Sequence, residues 1–112
     1  MTPLATIRQL TTGTVYEVTA KRAIQDCLDD GYPPHVGVIS AIDNVRRRIE
    51  ENQVFIMTQQ TRDPESDQYA DDTVKLALNN RISQHLAALR DRIRDASAAT
   101  IEQWDQLDSK EV

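Results

Sequence analysis

The stretch that decides the fold is LNNRISQHLAALRDRIRDA, residues 78–96. Its apolar side chains are separated by four, four, three, four and three residues, which keeps them on one side of an α-helix. They are Leu78, Ile82, Leu86, Leu89, Ile93 and Ala96. A second stripe with similar spacing is formed by Val38, Ile42, Val45 and Ile49. Two such stripes predict helices that bury one side against each other or against a partner.

The composition indicates a thin hydrophobic core. The chain has 112 residues, of which 39% are hydrophobic and only five are aromatic. This length predicts a single helical domain over residues 1–112. A domain so short has one core and little margin of stability. We therefore expect the helices to complete their burial in a homo-oligomer or a larger assembly.

Charge and targeting signals narrow the class of protein further. A net charge of −5 disfavours general adhesion to nucleic acid or to an anionic membrane. The single cysteine, Cys27, cannot form a disulfide within the chain, and the pattern around it predicts a small buried hydrophobe. The sequence has no signal peptide at its start and no apolar run of membrane-spanning length. We expect a cytoplasmic protein, or one of a host cytoplasm or virion if it is viral.

The N-terminal half reads as short helices. Thr2-Pro3 is typical of a helix start, with Thr2 as the N-cap. Thr19 could cap a further helix over 20–30, which Gly31 and the prolines behind it would end. The β-branched residues of 14–18 leave a minor alternative, a strand paired with 54–58.

The second half predicts an antiparallel hairpin of two long helices, 35–61 against 64–107. The segment 53–58 fits a helix or a strand; we favour the helix because the apolar register continues without proline or glycine. Asp63-Pro64 is predicted to start the second helix. A break near Ser97 is left open, and 108–112 is expected to be a frayed acidic tail.

Catalytic and metal-binding patterns are weak in this chain. The two histidines, His35 and His85, are expected to be structural or exposed. The residues needed for a zinc site do not have a familiar spacing. With three glycines in the whole chain there is no phosphate-binding glycine loop. We predict a protein that is not an enzyme and needs no cofactor, with no small-molecule substrate indicated.

Arginines offer the main alternative to a purely structural interpretation. Arg46, Arg47 and Arg48 form a run on the helix of the stripe from Val38 to Ile49, and Arg81 and Arg92 flank the stripe that begins at Leu78. They could contact phosphates. We favour a second interpretation, in which they lie beside the apolar stripe and pair with carboxylates of a facing helix or of a partner chain.

The sequence therefore predicts a mainly α, non-catalytic protein that acts through protein–protein assembly. An adaptor, an accessory subunit, or a viral or phage structural component would fit. Its interface would be the two apolar stripes, whose members from Leu78 to Ile93 and from Val38 to Ile49 are given above. The alternatives are a nucleic-acid-associated regulator or small subunit that uses the arginine faces, and an acidic inhibitor of a nucleic-acid-binding protein. No stretch resembles a known family.

Overall fold

The computed structural model describes residues 1–110 and contains five helices in that range. They are α1 (Pro3–Thr11), α2 (Glu17–Asp29), α3 (Pro34–Arg62), α4 (Tyr69–Asp95) and α5 (Ala98–Ser109). The mainly α class is thus confirmed. The minor strand pairing of 14–18 with 54–58 is wrong, because residues 1–110 contain no strand. Residues 54–58 keep the helical register inside α3, while the chain at 14–16 turns directly into α2.

The first two helices begin and end largely as their sequences indicate. Thr2 caps α1 by accepting a hydrogen bond from the Ala5 N–H on its hydroxyl, and Pro3 occupies the first turn. Gly31 follows α2 with a φ of +86°, a conformation that suits glycine. The predicted cap at Thr19 is wrong, because α2 already begins at Glu17.

The start of α4 differs from the prediction. Asp63 ends α3 by donating its backbone N–H to the Gln59 carbonyl, and α4 does not begin until Tyr69. Turns occupy the chain from 64 to 68. The helix starts at Tyr69, and Asp71 and Asp72 lie in its first turn, where the helix dipole favours negative charge.

The hydrophobic core is shared by four helices. It contains Leu4 and Ile7 of α1, Ala20, Ala23 and Ile24 of α2, with Tyr16 just before that helix, and the buried members of the two stripes in α3 and α4. The finer prediction, a hairpin that carries the core with the N-terminal half on one end, is not confirmed. Instead, α2 packs closely along α3: a Cβ on Gly37 would lie 3.3 Å from the Ile24 backbone.

The two stripes are mostly buried within the chain itself. Val38, Ile42, Val45, Ile49, Leu86, Leu89 and Ile93 all belong to the core. Ile82 is half-buried, and Leu78 is 53% exposed. The α4 stripe, predicted as a protein interface, is thus buried within the chain from Leu86 to Ile93 and exposed at Leu78.

The last described helix, α5, is separate from α4, and its residue Asp108 contacts Thr2 at the start of α1. Ser97 breaks the long helix, and its hydroxyl caps α5 by accepting from the Thr100 N–H at 3.1 Å. Asp108 is only 4% exposed and accepts a hydrogen bond from the Thr2 hydroxyl at 2.7 Å. The predicted fraying therefore does not hold for Asp108, which α5 holds against α1; residues 111–112 of that predicted tail lie outside the described range.

The molecule is elongated. Its extents are 53 × 26 × 18 Å and its radius of gyration is 16.2 Å, whereas a compact chain of this length has a radius of about 13 Å. Its accessible surface is 7213 Å², and a compact monomer of 12.7 kDa exposes about 6200 Å². None of the helices in residues 1–110 has the length and apolar character needed to cross a bilayer.

Candidate functional site

An arm formed by α3 and α4 extends beyond the core. We define the arm as residues 50–62 of α3, the connecting turns 63–68, and residues 69–82 of α4. No apolar residue is buried between Ile49 and Leu86; the only buried residues there are Asp72 and Asn79. Long helices rarely stand free in water on propensity alone, since most helical stability comes from packing. The helices of the arm therefore lack the apolar packing that supports the rest of α3 and α4.

One face of the arm carries an apolar groove of about 510 Å³. It lies between α3 and α4 and ends at the turn before α2. Its lining residues are Gly13, Thr14, Val15, Tyr16, Asn52, Phe55, Ile56, Lys75, Leu78, Asn79 and Ile82. Phe55 is 66% exposed, and Val74, one turn from Leu78 on α4, is also largely exposed. Phe55, Val74 and Leu78 thus form a group of exposed apolar side chains on the arm.

The groove ends at a buried polar cluster. The hydroxyl of Tyr16 donates to Asn79 Oδ1 at 2.9 Å and accepts from Asn52 Nδ2 at 3.1 Å. These bonds satisfy the polar atoms that the groove would otherwise leave in an apolar setting. The cluster joins the turn before α2 to both helices of the arm, so the end of the groove is preformed.

The turn at this end is held from one side by Glu17. Its carboxylate lies 3.0 Å from Lys21 Nζ and accepts the Gly13 N–H at 3.2 Å. Gly13 has a φ of +78°, a conformation that few side chains tolerate. The hydrogen bond from Lys21, then the one from Gly13, lower the pKa of Glu17 below its ordinary value. The carboxylate is thus charged, and the turn held, at neutral pH.

Three polar pairs fix the register of α3 against α4. Asp43 meets Arg90 at 2.6 Å, Gln53 meets Asn80 at 2.6 Å, and Gln60 meets Thr73 at 2.9 Å. Ten residues forward along α3 match ten residues back along α4, and seven then match seven. The two helices therefore run in opposite directions at a constant register through the arm.

This register places apolar and charged side chains of the two helices at matching heights. Phe55, two residues beyond Gln53, lies at the height of Leu78, two residues before Asn80. By the same count, Arg62 lies at the height of Asp71, and Glu51 within one residue of Arg81.

The charged residues at these heights are unpaired. Within residues 1–110, Glu51, Arg62, Asp71 and Arg81 make no ion pair, and all four are exposed. At each height one helix thus carries a charge opposite to that of the other.

The predicted arginine site is not brought together. Arg46, Arg47 and Arg48 are consecutive, so their side chains leave the helix about 100° apart. Arg47 donates to Asn44 at 2.7 Å. Arg92 is used within the chain: its guanidinium stacks on Trp104, 4.8 Å from the ring centre, and donates to the Met1 carbonyl.

The histidines are separated in the structure. His85 is exposed on α4, whereas His35 is half-buried at the start of α3. The His35 N–H donates to Asp105 Oδ1 at 2.9 Å, and His35 Nδ1 lies 2.6 Å from Oδ2. No group of three potential metal ligands is assembled within residues 1–110.

Sequence reasoning missed Phe55, Val15 and the buried cluster around Tyr16. The signal for Phe55 was present, because four consecutive apolar residues, Val54 to Met57, cannot all lie on the one covered side of a helix. The Tyr16–Asn79 bond joins residues 63 positions apart, and no local pattern indicates it.

No known protein-family model matches the chain, and no curated protein or solved structure shows a match to it.

Proposed function

We propose that this chain is a non-catalytic assembly protein that binds another protein surface along the groove of its arm. The observation that carries the proposal is the absence of any buried apolar residue between Ile49 and Leu86, although Phe55, Val74 and Leu78 are all present there. Isolated helical arms of this kind gain stability when an apolar partner covers them.

The size of the surface supports the same proposal. The chain exposes about 1000 Å² more than a compact monomer of its mass. A stable protein–protein interface buries about 800 Å² on each partner. A partner that covers the arm would reduce this exposed surface, as the assembly of an adaptor, accessory subunit or structural component would.

Photo-crosslinking tests this function directly. A photoreactive residue in place of Phe55 should form a discrete protein adduct in the cells that naturally make this chain. The matched control replaces Tyr32, which is also exposed and aromatic but lies between α2 and α3. Absence of any adduct from position 55, with either another protein or a second copy, would overturn the proposal.

A second proposal, the acidic inhibitor, is favoured by the tip of the arm. Asp63, Glu65, Asp67 and Asp71 are all exposed there, and such a cluster complements a basic nucleic-acid-binding surface. Charge reversal of Asp67 and Asp71 should then abolish inhibition of the target. Asp72 is buried and is left unchanged in this test.

The nucleic-acid-associated alternative has less support. Arg46, Arg47 and Arg48 leave α3 on different sides of the helix, and Arg92 of α4 stacks on Trp104. It predicts binding that weakens steeply with salt and is lost when Arg46, Arg47 and Arg48 are replaced by Glu. Unchanged binding in that triple variant would exclude this use of the run.

A further inference from the structure

We propose that α5 is a strap that detaches from the rest of the molecule as a unit while α1 to α4 stay folded. The strap, Ala98–Ser109, contacts the start of α3, at the end of that helix opposite the arm. Its detachment uncovers one end of the hydrophobic core. The inference concerns a different part of the chain from the groove, so it does not depend on the function proposed for the arm.

The strap contributes nothing to the buried apolar core. Within residues 1–110, every member of that core belongs to α1, α2, α3 or α4 or to the turn before α2. Asp108 is the one buried residue of α5, and the apolar side chains of this helix are half-buried or exposed. An element with few buried apolar contacts opens at a lower free energy than the core.

One side of α5 makes the attachment, and it is largely polar. Ile101, Trp104, Asp105 and Asp108 are separated by three, one and three residues, which places them on one side of the helix. The guanidinium of Arg92 stacks on Trp104, 4.8 Å from the ring centre. The strap is thus held by one ring stack, two carboxylates and one isoleucine.

The two carboxylates bind the starts of two different helices. Asp105 accepts the His35 N–H at 2.9 Å in the first turn of α3. Asp108 accepts a hydrogen bond from the hydroxyl of Thr2, the N-cap of α1, at 2.7 Å. Negative charge is favourable at both helix ends. These bonds fix the position of the strap, but water replaces them when it swings away, so their net contribution is modest.

Packing under the strap is loose. A cleft of about 370 Å³ lies between α3, α4 and α5, and Ile101 lines it together with Ile39 and Ile93. Atoms beside such a space lack contacts on one side, so dispersion forces hold α5 weakly. Ala96 and Ser97 join the strap to α4 through two residues of extended backbone. A link of this kind lets α5 move without breaking α4.

Opening changes the surface at this end of the molecule. It uncovers Ile39 and Ile93, and it leaves the His35 N–H without the acceptor that Asp105 provides. A free helix of 12 residues is marginal in water, so α5 also loses helical order when it detaches. The open chain then has an apolar surface at each end of α3, one at the groove and one under the strap.

Amide hydrogen exchange of the full chain is the first test. The Trp104 amide exchanges when the strap opens, whereas the Val45 amide in the core waits for unfolding of the whole chain. Ile49→Val trims a buried side chain about 21 Å along α3 from His35. It should speed exchange at Val45 about fivefold and leave Trp104 unchanged, because Ile49 is buried in both states of the strap. Equal acceleration at the two sites would overturn the inference.

A matched pair of variants tests the attachment. Asp105→Ala should speed exchange of the Trp104 amide about tenfold, because it removes the bond to His35. Gln106→Ala changes an exposed side chain of the same helix and should alter the rate by less than about twofold. Equal rates in the two variants would show that α5 exchanges by local fraying and does not detach as a strap.

A double variant holds the strap open. Asp105→Ala combined with Asp108→Ala should shift the emission of Trp104, the one tryptophan of the chain, to longer wavelength as its ring enters water. Far-ultraviolet circular dichroism should keep most of its helical signal and a cooperative thermal transition, because α1 to α4 stay packed. Wild-type emission would contradict the role of the two carboxylates, and loss of the whole helical signal would show that α5 cannot leave alone.

Discussion

The hydroxyl of Tyr16 donates a hydrogen bond to Asn79, 2.9 Å away, and both residues are buried. This bond marks the boundary between the two parts of the molecule. On one side of it the apolar residues of α3 and α4 are covered by α1 and α2. On the other side the same two helices continue without cover.

Tyr16→Phe should lower the free energy of unfolding by about 1–3 kcal/mol, because Asn79 Oδ1 is left buried without its donor. Urea denaturation followed by circular dichroism measures the change. Tyr32→Phe, which alters an exposed hydroxyl, should stay within about 0.5 kcal/mol of wild type. Equal effects of the two substitutions would show that the buried cluster does not stabilise the fold.

Two leucines of one stripe should respond differently to truncation. Leu86→Ala should cost about 2–5 kcal/mol because Leu86 is fully buried. Leu78→Ala should cost less than about 0.5 kcal/mol in dilute solution, where the single chain leaves Leu78 half-exposed. Thermal and urea unfolding at low protein concentration compare the two. Similar losses would mean that the arm is covered within the single chain.

Asp105→Ala should destabilise the protein by about 1–2 kcal/mol. Its carboxylate accepts the His35 N–H in the first turn of α3, where Pro33 offers no side-chain cap. Asp105→Asn keeps an acceptor and should lose less. The free energies of unfolding of the two variants distinguish them, and an Ala variant as stable as wild type would rule out the capping role.

The turn at the end of the groove should loosen in acid. The pKa of Glu17 is lowered by Lys21 and Gly13, so its contribution is complete above the ordinary glutamate value and is lost as the pH falls through the lowered pKa. The amide shift of Gly13 in NMR spectra should titrate at that lower pH. In Glu17→Gln this titration should vanish; its persistence would assign the transition to another group.

Gly37→Ala should be destabilising by about 1 kcal/mol or more, although alanine favours helix. The new methyl would lie 3.3 Å from backbone atoms of Ile24, which cannot rotate away. Val54→Ala, at an exposed site of the same helix, reports a gain in helix propensity without such a contact. Unfolding midpoints compare the two, and a stabilised Gly37→Ala would show that α2 can shift.

The helices and most of the core could be predicted from the sequence because they rest on local periodicity. Ile42, Leu89 and the other apolar members of the two stripes recur every three or four residues. This spacing places them on one side of a helix. The end of α3 was harder, since an Asp-Pro pair suits the end of one helix as well as the start of another.

The arm could not be separated from the core by the same reasoning. The apolar register continues through Ile56 and Leu78 without interruption. Whether such residues are buried depends on how far α2 reaches along α3, and that is decided by contacts between distant residues. The cap that Asp105 supplies to α3 comes from 70 positions away and has no local signature either.

The bond from Thr2 to Asp108 brings the first and last helices to one end of the rod, beside Arg92, which is about 35 Å along α4 from Tyr69. A fluorescent dye or affinity handle attached beside Thr2 or Asp108 would therefore lie far from the tip. A donor dye near Thr2 and an acceptor dye near Asp108 would be close together in the folded chain and would separate when it unfolds.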